Sequence, residues 1–237
     1  MPWCHMKIQK KKLIKNQNQE QIQEQIQPQP QPQKPIILFD VDDVILSTSS
    51  AIIPLISPTA SLSSLHDWGY KSIIRTLPKS SQPTQEHILS LFESPSFWST
   101  VTLKPHILSI FTDPLITSTF SFLIASKGTP LNLELKSQFL SSHLPPTPFI
   151  PLSLSDSKSS ITDPTSPLYH PVTIQIDDNY NFLDTTAPLK ILLTNNLTTD
   201  YNYHNGKVQE DLYIVNNLSE VHSILTFFAN NPELLPH

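Results

Sequence analysis

Three short polar clusters, each directly following an apolar run, hold the residues of this chain that could do chemistry. Ile36-Ile37-Leu38-Phe39 leads into Asp40-Val41-Asp42-Asp43-Val44. The apolar run 120–125 leads into Ser126-Lys127, and the run 172–176 into Asp177-Asp178. Gathered carboxylates repel one another and disfavour their own ionisation, so such a set calls for a cation. The histidines show no His-x-His or His-x-x-x-His pair beside these runs, which leaves oxygen donors alone. Oxygen-only donors select a hard ion, so Mg²⁺ is expected and zinc is not. In an extended chain alternate side chains point the same way, so the Asp40-x-Asp42 spacing sends both carboxylates to one side.

For these clusters to meet, the apolar runs must be neighbouring strands. Each is short and continuous, the pattern of a strand buried on both faces of a parallel sheet. Runs 189–193 and 212–215 read the same way. Helical patterns lie among them: 85–92 with Thr84 as its cap, 131–144, and 219–229 with Val221, Ile224, Leu225 and Phe228 on one face. Strands alternating with helices predict a doubly wound α/β sheet, whose ligands bind at the carboxyl ends of the strands. Residues 44–118 break the alternation with short helical patterns and Pro/Ser-rich joints. They predict a small helical cap, largely 47–118, inserted after the first strand.

Composition narrows the choice further. With 3 glycines against 23 prolines, the chain has no GxGxxG and no GxxxxGK, so neither a dinucleotide fold nor a P-loop NTPase is supported. Residues 1–34 hold a lysine cluster and Gln/Glu/Pro repeats, too poor in apolar surface to offset the entropy of ordering, and predict a disordered tail. The functional domain is expected over 35–237. The first 34 residues carry six lysines and two glutamates, whereas the remainder has nine basic and 18 acidic side chains. An acidic body argues against a nucleic-acid partner, which needs clustered Lys/Arg. The single cysteine, Cys4, permits no intrachain disulfide. No apolar stretch is long enough to span a membrane or to serve as a signal peptide, so a cytoplasmic protein is expected.

Residues 36–44 resemble the first motif of the haloacid dehalogenase superfamily, an apolar strand followed by Asp-x-Asp-x-Val/Thr. Ser126, Lys136 and Asp177-Asp178 are similar in order and surroundings to its second, third and fourth motifs. The likeness spans 36–216. It implies a three-layer α/β sandwich with a mostly parallel sheet and a Mg²⁺-dependent phosphomonoesterase forming an aspartyl-phosphate. Asp40 would be the nucleophile and Asp42 the general acid/base. Ser126 and Lys136 would bind phosphate, with Lys127 an alternative for the lysine. Asp40, Asp42, Asp177 and Asp178 would hold the metal.

Within the superfamily the chain resembles the cytosolic type C 5'(3')-deoxyribonucleotidases in its insert, in Phe97-Trp98 before Leu103-Lys104-Pro105, and in Ile176-Asp177-Asp178-Asn179. It departs from them at Ala125-Ser126, where many relatives have Thr-Ser. That likeness implies a small phosphorylated substrate, a nucleotide monophosphate. The alternatives are a catalytically silent relative that binds a phosphorylated partner and a phosphatase for a non-nucleotide ester. Phe97 and Trp98 are expected in the core of the lid, and Arg75 at its surface. Asn179 and Asn181 read as loop hydrogen-bonders, and Tyr201, Tyr203 and His204 as a polar surface loop.

Overall fold

Among the described residues there are six short strands, all but β3 on the apolar runs: β1 (Ile36–Phe39), β2 (Ser121–Lys127), β3 (Phe149–Leu152), β4 (Val172–Asp177), β5 (Leu189–Leu193) and β6 (Leu212–Val215). The computed structural model describes residues 33–65, 70–183, 185–195 and 211–235, nearly all within one unit, Lys34–His237. The expectations for the tail before residue 33 and for Tyr201, Tyr203 and His204 fall outside the described residues. The strands form one sheet in the order β3-β2-β1-β4-β5-β6, and every neighbouring pair is parallel. A strand buried on both faces needs no polar alternation. Accordingly, all residues of β1 and β5 are buried.

The helices are α1 (Thr48–Ile56), α2 (Lys71–Ile74), α3 (Gln85–Leu91), α4 (Pro95–Trp98), α5 (Ile107–Thr112), α6 (Pro114–Thr119), α7 (Pro130–His143) and α8 (Leu218–Asn230). Several start on a polar cap that accepts a hydrogen bond from the first turn. Thr84 accepts from His87 N, Asp113 from Leu115 N, Thr129 from Asn132 N and Asn217 from Glu220 N. Proline at the first helical position supports α6 and α7, because the missing N–H has no partner there in any case.

One sheet face presents Ile37, Phe39, Ile174, Ile176 and Ile191 to the main apolar core, which also takes in Phe111 of α5, Ile116 of α6 and Val221 of α8. The other presents Leu38, Leu123, Ala125, Leu152 and Val172, covered by Ile161 and Ala187. The expected α/β architecture is therefore the observed one, with the sheet parallel throughout. The second face is closed largely by the connections around β4, which include 3₁₀ turns at Lys158–Ile161 and Tyr180–Phe182. β3 has no counterpart among the expected strands, because Pro151 argues against a ladder position. It is tolerated at the sheet edge, where one side of the strand needs no partner.

Between β1 and β2, helix α1 packs against α2, α3 and α4, whereas α5 and α6 pack against α8 beside the sheet. Phe97 is fully buried and meets Phe92 at 5.4 Å and Trp98 at 5.1 Å between ring centroids. The Trp98 indole donates to Phe92 O at 2.9 Å, so both aromatics pack within the segment between β1 and β2, and Arg75 is exposed. No helix among the described residues is long and apolar enough to cross a membrane.

Candidate active site

Strand register brings the three clusters together. Phe39 lies opposite Ile124 of β2 and Ile176 of β4, and Asp40 N donates to Ile176 O at 3.0 Å. Asp40 and Asp177 thus leave the sheet side by side, with Ser126 at the end of β2. After Asp40 the chain turns sharply: Val41 O accepts from both Ile45 N and Leu46 N at 2.9 Å, and Asp43 adopts φ 54°. A left-handed aspartate of this kind is uncommon and is held here by its own side chain. The Asp43 carboxylate accepts from Ser49 N at 2.9 Å and from Ser49 Oγ. It supports the start of α1, where Ser47 makes no side-chain cap. Burial raises the Asp43 pKa, with Lys104 and the Ser49 bonds opposing.

Two buried lysines hold Asp42, Asp40 and Asp177. Lys136 Nζ lies 2.5 Å from Asp42 Oδ2 and donates to Ser126 Oγ at 2.8 Å and Lys127 O at 3.3 Å. Asp42 is held from its other oxygen by Thr48 Oγ1 at 3.0 Å. Lys158 Nζ bridges Asp40 Oδ1 and Asp177 Oδ2, at 2.7 Å each. The sequence reading did not single out Lys158, which sits among serines in what reads as a solvated linker. The signal that could have found it is charge: several buried carboxylates need more than one compensating cation. Lys127, the alternative lysine, lies 5.8 Å from the Phe182 ring centroid.

Asp40 is pushed up to about 7, chiefly by burial, with Asp177 and Asp42 adding and Lys158 opposing. For Lys158 burial works against the charge, but Asp177 and Asp40 outweigh it and hold the ammonium above its ordinary range. Asp40, Asp177 and Asp178 are buried, and each offers an oxygen within 4.8 Å of the others. Asp42, which the sequence reading included among metal ligands, stands outside this trio and faces Lys136. Three buried carboxylates crowd together here, with Lys158 bridging two of them and Lys104 near enough to Asp178 to feel its charge, and the donors are all oxygen. That combination fits a hard divalent cation such as Mg²⁺.

A cavity of about 360 Å³ opens over Asp40, Asp42 and Asp178, and its far wall includes Tyr70, Ile88, Leu89 and Phe92 from the segment between β1 and β2. Tyr70 has a left-handed backbone, φ 62°, and its hydroxyl lies 3.5 Å from Ser49 Oγ. Burial first, then the charge of Asp43, keeps this phenol protonated well above its ordinary range. Asn179 N donates to Asp177 Oδ1, and the Asn179 side chain accepts from Asn181 N, each at 3.0 Å. Both asparagines are loop hydrogen-bonders, as expected.

This sheet order, with acids at the carboxyl ends of its central strands and helices inserted after the first, defines a haloacid dehalogenase-like α/β fold. No family model matches the chain, and no curated protein matches it. Solved structures do. The chain is similar to a predicted phosphatase from Clostridium acetobutylicum, at 15% identity and TM-score 0.51 over 82% of this chain and 99% of that one. It is similar to a haloacid dehalogenase-like hydrolase from Xanthomonas campestris, at 12% identity and TM-score 0.47 over 86% and 97%. A third neighbour is CbbY from Rhodobacter sphaeroides in complex with phosphate, at 14% identity and TM-score 0.49 over 79% and 96%. At these identities the likeness is one of fold, and the site residues must carry the chemistry.

Proposed function

We propose that this chain is a Mg²⁺-dependent phosphomonoesterase that works through an aspartyl-phosphate on Asp40. The observation that carries the reading is the Asp40 carboxylate at the end of the central strand, held by Lys158 and facing an open cavity. Asp40 attacks phosphorus in line with the ester oxygen, and the phosphorus–ester bond breaks as the new Asp40 oxygen–phosphorus bond forms. Covalent catalysis of this kind divides a very slow hydrolysis into two easier displacements. Asp42 gives its proton to the departing alkoxide. It then takes one from the water that cleaves the aspartyl-phosphate, releasing inorganic phosphate.

Ser126 and Lys136, already in contact at 2.8 Å, hold phosphoryl oxygens and act on the charge that spreads in the transition state. Lys158 keeps Asp40 aimed. Asp40, Asp177 and Asp178 would hold Mg²⁺, whose charge relieves repulsion between an anionic nucleophile and an anionic ester. The substrate is a small phosphate monoester, with nucleotide monophosphates the first class to try. The likeness to the deoxyribonucleotidases at Ile176-Asp177-Asp178-Asn179 supports that choice. Phe97 and Trp98 no longer support it, because neither lines the cavity.

The test is hydrolysis of p-nitrophenyl phosphate, then of nucleotide monophosphates, with Mg²⁺ or EDTA, by wild type and Asp40→Asn. Activity that needs Mg²⁺ and disappears in the variant is the expected result. A wild type silent on both substrates would sink the proposal.

A further inference from the structure

We infer that the cavity beside Asp40 selects a phosphate monoester whose leaving group is compact, apolar and aromatic over one that is polyhydroxylated. The inference rests on the phosphatase reading above and specifies its substrate class. At about 360 Å³ the cavity lies near the lower end of small-molecule sites, which run from roughly 300 to 1,000 Å³. Its size suits one compact group.

Its chemistry comes from three separate segments. Ile88, Leu89 and Phe92 come from the cap, Leu154 from the loop after β3, and Phe182 from the turn after β4. Leu154 is 50% exposed, a large apolar side chain at the mouth whose contact with water an apolar ligand would remove.

Two of the polar groups on the same wall, Thr129 and Asn132, are already engaged. The Thr129 hydroxyl donates to Glu93 and accepts from Asn132 N, and Asn132 Nδ2 donates to Phe92 O at 3.2 Å. A sugar entering here would bury several hydroxyls against apolar side chains, and an unpaired buried hydroxyl is costly.

The experiment compares kcat/KM, with Mg²⁺, for 2-phenylethyl phosphate and glucose 6-phosphate, with p-nitrophenyl phosphate as the activity control. The first two release primary alkoxides, so their intrinsic leaving abilities are matched and the comparison reads the cavity. The expected result is a preference of about tenfold or more for the phenylethyl ester, the scale on which an apolar pocket discriminates. That preference should narrow in Leu89→Ser and in Leu154→Ser, mainly through a higher KM for the aromatic ester. Equal or better turnover of the sugar ester would overturn the inference and leave the phosphatase reading standing. So would hydrolysis of p-nitrophenyl phosphate with none of 2-phenylethyl phosphate, or a preference unchanged in both serine variants. Silence on all three esters would overturn both readings together.

Discussion

The two walls of the cavity are built on opposite terms. The strand-end wall consists of Asp40, Asp42, Asp178, Lys136 and Lys158, groups that are charged and mostly buried. Strand register and short ion pairs fix them. The facing wall, the cap of the proposed phosphatase, offers Ile88, Leu89 and Phe92, neutral side chains on short helical segments that pack among themselves. Reactive groups must be held to within a fraction of an ångström, which rigid elements with supporting contacts achieve. An apolar wall needs only shape and surface. In the proposed phosphatase, therefore, lesions on the strand side should act on turnover, and lesions on the cap side on KM and on stability.

The sharpest test of that division is Asp40→Asn, which keeps the shape of the side chain and removes the nucleophile. It should lower kcat by on the order of 10³-fold or more while circular dichroism stays unchanged. A variant that kept a tenth of wild-type turnover would place the chemistry elsewhere.

The two lysines come next, and they should differ. Lys158→Met leaves Asp40 and Asp177, 8% and 1% exposed, without their cation. Breaking a buried pair by removing one partner costs about 3–5 kcal/mol. Urea unfolding in EDTA should show a loss of that order, and Mg²⁺ should restore part of it by taking over the compensation. Lys136→Met should lose less, about 1–3 kcal/mol, because its partner Asp42 is 33% exposed and keeps water and Thr48 as partners. Equal losses in the two variants would contradict the unequal burial of the two half-sites.

On the cap side, Ile88→Ala removes a side chain that is 3% exposed and should cost about 2–5 kcal/mol by leaving a void. In the fraction that remains folded, KM should rise more than kcat falls. A fall in kcat as large as the rise in KM would show that the cap shapes the reaction and not only the selection.

What the sequence makes legible follows the same divide. β1, β2 and β4 are continuous apolar runs ending in polar residues, so both the strands and the positions of Asp40, Ser126, Asp177 and Asp178 can be read directly. Lys136 can be read as well, since it lies on a helix following one of these strands. β3 cannot, because Pro151 violates the pattern and only its edge position excuses it. Lys158 is hidden for a different reason. Its partners are distant in sequence, and among Ser155-Asp156-Ser157 and Ser159-Ser160 it looks like any solvated lysine. Pattern reveals groups that lie on regular elements. A group delivered by a connection between strands becomes visible only when the sheet has placed its partners. Asp43 shows the same limit: its acidity suggests chemistry, but its left-handed backbone and its bonds to Ser49 make it the anchor of α1.

The smallest expected effect lies away from the cavity and provides a baseline for scaffold damage alone. Asp113 caps α6, accepting from Leu115 N at 2.8 Å and Ile116 N at 3.3 Å, and it also meets His222 Nε2 of α8 at 2.8 Å. Burial opposes its charge, but these bonds outweigh burial and hold its carboxyl below the ordinary value of 3.8. A carboxylate whose folded-state pKa is depressed contributes stability above its unfolded pKa and loses it as pH falls through the folded value. Asp113→Ala should cost about 1 kcal/mol near neutral pH, the usual effect of a lost N-cap. Asp113→Asn keeps a capping oxygen and should cost less. The gap between wild type and the asparagine variant should close as pH falls below about 4, where the unfolded carboxyl binds its proton. In both variants kcat and KM should stay at wild-type values, because no part of this contact reaches the cavity. A change in either constant would mean that the α6–α8 contact helps to set the strand ends, and that scaffold and site are coupled more closely than the division between the two walls allows.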